Sequence, residues 1–213
     1  METIGIIAEY NPFHNGHLYH INKIKELYPD SLIILVLNGY FTQRGIISVL
    51  SKEDKTKISL DNNIDIVLEL PFIFGTQSSD IFAYNSVKLL NELKVNRIIF
   101  GSESNNLDLL NKVVDIQIND PEYEDRIKEY LNDGINYPTA MKKALNIEED
   151  ISNPNDLLGI SYIKAIKQAK VLICASFDYL DGKDMDLELI FTNLSYVTGL
   201  DCSFQRELKY FEY

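Results

Sequence analysis

Apolar stretches alternate with segments of helical spacing over the first hundred residues. Four nearly continuous apolar runs are predicted strands: Ile4–Ala8, Leu32–Leu37, Ile64–Leu70 and Val95–Phe100. Three segments between them are predicted helices: Gly16–Leu27, Lys52–Asn62 and Ser78–Leu93. Such apolar runs are typical of a parallel sheet that is covered on both faces, and the alternating order requires right-handed crossovers. The pattern therefore predicts an α/β fold built on a parallel sheet.

The pattern changes after about residue 105, where helical spacing replaces the alternation. Four further helices are predicted: Leu107–Val114, Pro121–Asn132, Tyr137–Leu145 and Asn155–Gln168. Lys170–Ala175 is apolar enough for another strand, and the pattern beyond residue 177 is hard to interpret. With 213 residues and 46% apolar content, the chain is long enough to bury a sizeable core in one domain.

The net charge of −12 limits the partners that the chain can bind over a broad surface. Nucleic-acid-binding domains are usually basic. We therefore expect no DNA binding and no broad RNA-binding surface, although a small basic patch or a partner domain could still contact RNA.

The sequence shows no membrane or secretory segment. No apolar run reaches the roughly 18 residues of a membrane span, and no basic region precedes Ile4. Cys174 and Cys202 form no Cys-x-x-Cys pair, so we interpret them as buried or free thiols in a reducing compartment. These features predict a cytoplasmic protein that does not contact a membrane.

The histidines are the most informative residues for function. All three, His14, His17 and His20, lie within seven positions, where the first predicted strand ends and the first helix begins. Backbone N–H groups at a helix start attract anions, and imidazoles beside them can donate hydrogen bonds to phosphate oxygens. Because ligands of parallel sheets bind beyond the carboxyl ends of the strands, we expect Glu9–His17, Asn38–Arg44 and Gly101–Ser104 to converge around a phosphate group.

These residues resemble a known family. His14-Asn15-Gly16-His17 is the His-x-Gly-His element of the nucleotidylyltransferase superfamily. Four further motifs follow in order: Asn38-Gly-Tyr-Phe-Thr-Gln-Arg-Gly45, Glu69-Leu-Pro71, Phe100-Gly-Ser-Glu103 and Ser152-Asn-Pro-Asn155. Together they resemble the bacterial tRNA(Met) cytidine acetate ligase family from residue 1 to about residue 168.

The resemblance implies a Rossmann-like parallel sheet of the HIGH-type nucleotidylyltransferase kind, with a helical extension. It implies an enzyme that activates acetate with ATP and transfers the acetyl group to the wobble cytidine of elongator tRNA(Met). Residues 1–168 would form the ATP-binding domain, and residues 169–213 a C-terminal segment. The ATP-binding residues implied are Ile7, Ala8, Glu9, Tyr10, Asn11, Pro12, Phe13, His14, Asn15, Gly16, His17, Leu18, Tyr19, His20, Gly101 and Asn155.

Individual roles follow from the chemistry of these side chains. His14 and His17 are the predicted catalytic residues, which would stabilise charge on the phosphate as pyrophosphate leaves. Gly16 and Gly101 would let the nucleotide approach the backbone closely. Arg44 is the best candidate for phosphate or RNA contact. Mg²⁺ is expected to bridge the phosphates of ATP, although no dedicated protein site for a metal ion is evident.

Several of these residues also have a purely structural interpretation. His20 is as compatible with a half-exposed helix face as with a ligand contact. Glu9 is either a solvated acid at a strand end or a group that orients a histidine or a metal-bound water. Glu103 could cap the next helix, and Asn155 is a predicted N-cap. The aromatic residues Tyr10 and Phe13 are candidates for the core or for stacking on adenine.

The sequence departs from the family pattern in two places. After Gln-Arg-Gly the family continues Glu-Pro-Ala, whereas this chain has Ile46-Ile47-Ser48, which puts the rigidity of the loop in question. A further Ser, Ile and Arg segment of the family is not found after Gln168, and Ile190–Ser195 resembles the C-terminal end of longer members. The chain would then be either naturally shortened or lacking an internal segment.

Two alternatives to the ligase function remain open. One is another adenylyltransferase, which would make a small dinucleotide cofactor with the same His-x-Gly-His chemistry. The other is a non-catalytic homologue that binds adenine nucleotide or a partner protein. The acceptor of the adenylyl group separates the first alternative from the ligase, and acetate-dependent release of pyrophosphate separates the second.

Overall fold

The computed structural model describes residues 2–147, 149 and 151–169, and the backbone of residues 173–178. The strands are β1 (Thr3–Ala8), β2 (Leu32–Asn38), β3 (Ile66–Leu70), β4 (Arg97–Ser102) and β5 (Ile173–Asp178). The helices are α1 (Asn15–Leu27), α2 (Lys52–Asp61), α3 (Phe72–Gly75), α4 (Ser79–Glu92), α5 (Leu107–Asn119), α6 (Tyr123–Asn132), α7 (Tyr137–Leu145) and α8 (Pro154–Ala169). Predictions for residues 170–172 and 179–213, and for the side chains of Cys174 and Cys202, concern parts of the chain outside this description.

The strands form one parallel sheet in the order β3-β2-β1-β4-β5. The chain runs outward from β1 to β2 and β3 and then returns to the other side of β1 with β4. The order of the strands therefore reverses between β1 and β4, which is the place where such sheets bind ligands. The predicted α/β class with a parallel sheet is confirmed.

Both faces of the sheet are buried at its centre, as the apolar runs predicted, whereas the edge strand β3 leaves Ile66 40% exposed. Alternate residues of β2 point to opposite sides, so that Ile33, Leu35 and Leu37 join one apolar cluster with Ile21 and Ile24 of α1. Ile34 and Val36, with the partly buried Leu32, face a larger cluster made with α4 to α8. Helices thus cover each face, and the polar ends of the strands are left for a site.

Several element boundaries differ from the sequence prediction. The N–H of Val95 donates to the carbonyl of Leu90 and closes α4, so β4 begins only at Arg97. In the same way Ile64 caps α2, and β3 begins at Ile66. Helix α5 continues past Val114 to Asn119, and β5 lies three residues beyond its predicted position.

The short helix α3 was not predicted. Pro71 ends β3 as expected and is also the N-cap of α3, which spans only four residues. A single turn of helix gives no periodic signal, which explains why the sequence does not reveal it. Within the described residues, no helix has both the length and the apolar content that crossing a membrane requires.

Candidate active site

A cavity of about 510 Å³ lies at the carboxyl ends of β1 and β4, beside the start of α1. The three segments that were expected to converge all contribute to its wall. The predicted site residues that line it are Ile7, Ala8, Glu9, Tyr10, Asn11, Pro12, His14, His17, His20, Arg44, Gly101 and Asn155. Most of the proposed ATP-binding residues therefore share one cavity.

The remaining predicted residues do not line this cavity. Phe13 is 1% exposed and packs edge-on against Tyr10 in the core, with ring centroids 4.9 Å apart. Leu18 and Tyr19 pack against the core cluster beneath α1. Asn15 and Gly16 belong to the first turn of α1, and Gly16 is buried. The side chain of Phe13 is therefore a core residue, as the structural interpretation had it.

The two histidines of the motif cap helix α1. His14 is the N-cap, and its Nδ1 accepts a hydrogen bond from the N–H of Gly16 at 3.1 Å. In return, Nδ1 of His17 accepts from the N–H of His14 at 3.3 Å. The two rings stack with centroids 3.7 Å apart. The pair forms a capping box in which imidazoles replace the usual oxygen-bearing side chains.

This cap fixes the tautomer of both rings. An Nδ1 that accepts a hydrogen bond carries no proton, so a neutral imidazole must carry its proton on Nε2. Nε2–H is then the donor that each ring can offer to a ligand in the cavity. The cap also corrects the expectation of free backbone donors, because the N–H of Gly16 is already bonded to His14.

Burial keeps the three imidazoles neutral. It lowers the pKa of His14, and it lowers the pKa of His17 well below 6.5 with help from the neighbouring His14 and His20. Burial lowers the pKa of His20 to about 4, opposed by a hydrogen bond to the backbone of Ile99. His20 is only 8% exposed, which excludes the half-exposed helix face. At neutral pH the motif offers hydrogen-bond donors without a positive charge.

His20 makes the stability of the protein depend on pH. Between its usual pKa of 6.5 and about 4, the unfolded chain binds a proton that the folded protein does not. The free energy of unfolding therefore decreases as the pH falls through this window. We expect urea unfolding to show this decrease, and to show a smaller one for His20→Gln, which cannot titrate at this position. Parallel pH profiles for the two proteins would contradict the assignment.

The loop after β2 folds over the end of β1. The carboxylate of Glu9 accepts hydrogen bonds from Nδ2 of Asn38 and from the N–H of Gln43. Oδ1 of Asn11 accepts from the N–H of Val49 at 2.7 Å. Glu9 therefore connects the loops that follow β1 and β2. Its carboxylate is not simply a solvated acid at a strand end, and the donors to it are Asn38 and Gln43 and not a histidine.

The same loop is ordered although the family's Glu-Pro is missing. The N–H of Thr42 donates to the carbonyl of Ile46 at 2.8 Å, and that of Ser48 donates to the carbonyl of Tyr40 at 2.8 Å. Gly45 turns the chain at a φ of 76°, which favours glycine. This hairpin, residues 40–48, presents the exposed Arg44 to the cavity, where it could contact phosphate.

The opposite wall is formed by β4 and α8. Glu103 caps α8, because its carboxylate accepts from the N–H groups of Asn155 and Asp156 at 3.2 and 3.0 Å. It does not cap α5, whose N-cap is Asn106. Asn155 is the second residue of α8 and not its N-cap, since the helix begins at Pro154. The Nδ2 of Asn155 donates to Glu103 at 2.8 Å, which fixes this side chain at the cavity wall.

Seven residues of the cavity wall were not named as site residues from the sequence, although Thr42 and Gln43 lie within the segment 38–44 that was expected to converge there. The seven are Thr42, Gln43, Ile46, Phe82, Phe100, Leu158 and Tyr162. A signal was present for two of them, because Asn155, Leu158 and Tyr162 follow the i, i+3, i+7 spacing of one helix face. Phe82 gave no such signal, since it reads as an ordinary core position of α4.

Close packing between α8 and β4 supports this wall. A Cβ at Gly159 would lie 2.9 Å from Cζ of Phe100 and closer still to its Cε2. We expect Gly159→Ala to lower the free energy of unfolding by about 1–3 kcal/mol, because the ring must shift in a packed core. Urea unfolding measures this loss. The double variant Gly159→Ala with Phe100→Leu should recover part of it, and no recovery would show that the contact is not the cause.

The described part of the chain has no cage for a metal ion. No three histidine, cysteine, aspartate or glutamate side chains in it form a group that could hold one. Glu9, at the cavity wall, already accepts hydrogen bonds from Asn38 and Gln43.

Comparison with known sequences identifies relatives that are named tRNA(Met) cytidine acetate ligase. The tRNA(Met) cytidine acetate ligase of Fusobacterium nucleatum is 48% identical over 165 residues, which are 78% of this chain and 41% of that protein. The protein of the same name from Mycoplasma mobile is 46% identical over 167 residues, which are 77% of this chain and 56% of that protein. The chain spans about half the length of the curated relatives it matches.

Comparison with solved structures gives the same answer. Thermotoga maritima TmcAL bound with alpha-thio ATP has a TM-score of 0.81 and 34% identity, covering 92% of this chain and 50% of that one. Its apo form matches with a TM-score of 0.81 and 33% identity, covering 92% of this chain and 52% of that one. A sequence profile of the HIGH Nucleotidyl Transferase family matches residues 1–176, which include the histidine cap and every strand but the end of β5. On this match, the chain belongs to the HIGH nucleotidyl transferase family.

Proposed function

We propose that this protein activates acetate with ATP and passes the acetyl group to the wobble cytidine of elongator tRNA(Met). The observation that carries the proposal is the neutral pair His14 and His17, whose Nδ1 atoms are occupied by the helix cap. Two preoriented Nε2–H donors beside one cavity suit a phosphate that gains charge in the transition state. The names of the sequence relatives support acetate and tRNA(Met) as the substrates.

In the first step, a carboxylate oxygen of acetate attacks the α-phosphorus of ATP. The bond from that phosphorus to the bridging oxygen breaks, and pyrophosphate leaves with the electron pair. His14 and His17 donate hydrogen bonds to the oxygens on which charge builds, and Arg44 neutralises the leaving phosphates. Mg²⁺ bound together with ATP would supply further positive charge beside Arg44.

In the second step, the exocyclic amine of cytidine attacks the acetyl carbonyl of acetyl-adenylate. AMP leaves, and the amine loses one proton. In this proposal Gly101 and Asn155 hold the adenosine side, because both lie on the wall formed by β4 and α8. The net charge of −12 argues against a broad tRNA-binding surface on this chain, so a small basic patch or a further domain would supply most of the contact with tRNA.

The adenylyl acceptor tests this function. The purified chain is incubated with ATP, Mg²⁺ and, in separate reactions, acetate, nicotinamide mononucleotide or phosphopantetheine, and pyrophosphate release is measured. The proposal expects release with acetate alone, followed by acetylation of cytidine when tRNA(Met) is added. Release with another acceptor would favour a cofactor-forming adenylyltransferase. ATP binding by calorimetry without any release would favour a nucleotide-binding homologue.

A further inference from the structure

Lys55 is a buried lysine in the middle of helix α2, and it lies outside the cavity. Its side chain is among the largest that are fully buried, with 1% exposure. Nζ donates to three backbone carbonyls: Glu9 at 3.1 Å, Asn38 at 2.8 Å and Gly39 at 2.8 Å. An ammonium group has three N–H donors, so all of them are used. Moving a cation out of water costs free energy unless hydrogen-bond partners compensate for the lost hydration. A helix that only covers a sheet does not need a buried lysine.

The three carbonyls belong to the segments that follow β1 and β2, on the side of the cavity lined by Gln43 and Arg44, which is the proposed phosphate side. Glu9 directly follows β1, and Asn38 and Gly39 are the last residue of β2 and the next one. A single ammonium group therefore joins the carboxyl ends of two neighbouring strands. Because α2 also packs Ile58 into the core, the lysine is anchored at both ends of its side chain.

From these strand ends, the hydrogen bonds continue into the hairpin. The backbone of Glu9 is held by Lys55, and the carboxylate of the same residue accepts from the N–H of Gln43. Nδ2 of Asn38 donates to that carboxylate at 3.1 Å and completes the link between the two loops. Gln43 and Arg44 line the cavity at the end of this chain of contacts.

We propose that Lys55 is a positioning residue for the reaction, which acts through Glu9 to hold Gln43 and Arg44 at the phosphate side of the cavity. The expected effect of Lys55 on catalysis rests on the function proposed above. The proposal predicts that Lys55 affects the binding of the triphosphate more than the chemical step, since Lys55 does not line the cavity and its ammonium group donates to the carbonyls of Glu9, Asn38 and Gly39.

The charge of Lys55 gives a further readout. Burial lowers its pKa to about 8, opposed by the charges of Glu9 and Glu69. Above that pH the group becomes an amine with only two donors for three carbonyls. In the wild-type protein we therefore expect the KM for ATP to rise above about pH 8. In Lys55→Met the KM for ATP should be high already at pH 7. It should not rise further above pH 8, because the group that loses its proton there has been removed.

Lys55→Met tests the proposal, with Lys57→Met as the matched control. Methionine keeps the apolar stem and removes the three donors, whereas Lys57 lies on the same helix, is 56% exposed and pairs with Asp61. For Lys55→Met we expect the Gln43 amide hydrogen to exchange with solvent about tenfold faster in the ligand-free protein. The reason is that Glu9, which accepts from this amide, is no longer held in place by Lys55. We expect a KM for ATP raised about tenfold and a kcat for pyrophosphate release within about threefold of wild type. Lys57→Met should match the wild type in all three measurements.

A second variant covers the case in which Lys55→Met folds poorly. In Lys55→Ala, added propylammonium replaces the deleted atoms and should slow the exchange of the Gln43 amide again. Propan-1-ol at the same concentration, which lacks the ammonium group, should not. Unchanged exchange at Gln43 in Lys55→Met, or an equal fall of kcat and kcat/KM, would overturn the positioning role. The exchange measurement needs no substrate, so it still decides the link from Lys55 to Gln43 if the wild-type protein releases no pyrophosphate and the proposed function fails.

Discussion

His17→Asn is expected to lower the kcat for acetate-dependent pyrophosphate release by about 10²–10³-fold, the usual cost of one donor lost from a transition state. Asparagine places an amide oxygen close to the position of Nδ1 and so keeps the acceptor for the N–H of His14. It has no group at the position of Nε2, so only the donor toward the cavity is lost. The KM for ATP should change less than kcat, because charge on the phosphate develops after binding.

The matched variant is His17→Gln, whose amide nitrogen reaches the position of Nε2. It should recover part of the rate while weakening the cap of α1, so its rate should exceed that of His17→Asn. Circular dichroism and urea unfolding establish that His17→Asn is folded. Turnover close to wild type in a folded His17→Asn protein would remove His17 from the proposed mechanism.

The fold was predictable because its signals are local. Ile33, Leu35 and Leu37 face one layer of helices while Ile34 and Val36 face the other, so a five-residue apolar run directly encodes a strand that is buried twice. The boundaries were less accurate where a helix cap and a strand compete for the same residue. Val95 is apolar like the strand that follows it, yet its N–H is used by the end of α4.

The convergence of the predicted segments on one cavity was predictable for the same reason, since parallel strands bring their carboxyl ends to one edge. The contacts inside this candidate site were not predictable from the sequence. Lys55 reads as one of several charges on a polar helix, and its burial depends on carbonyls of residues 9, 38 and 39. The tautomers of His14 and His17 depend on a cap geometry in which imidazoles replace serine or glutamate, and sequence patterns for caps do not include it.

Asp156 is another residue whose role depends on distant partners. It is completely buried at the start of α8. Its Oδ1 accepts from Oγ of Ser102 at 2.5 Å and from Oγ of Ser104 at 3.1 Å, and its Oδ2 accepts from the N–H of Ser104 at 3.2 Å. This one carboxyl group therefore fastens the loop after β4 to the first turn of α8, between Gly101 and Asn155.

Asp156→Ala is expected to lower the free energy of unfolding by about 3 kcal/mol, because the buried hydroxyl of Ser102 and two half-buried donors of Ser104 lose their acceptor at once. The affinity for ATP, measured by calorimetry at a temperature where the variant is folded, should fall about tenfold as Gly101 and Asn155 lose their fixed separation.

Asp115→Ala is the matched control. Asp115 is a 56% exposed carboxylate of α5 that pairs with Lys167, and its loss should cost less than about 1 kcal/mol. Equal losses in the two variants would show that burial of the Asp156 network does not stabilise this wall. A normal ATP affinity in a folded but destabilised Asp156→Ala protein would instead confine its role to stability and leave the adenosine side to other contacts.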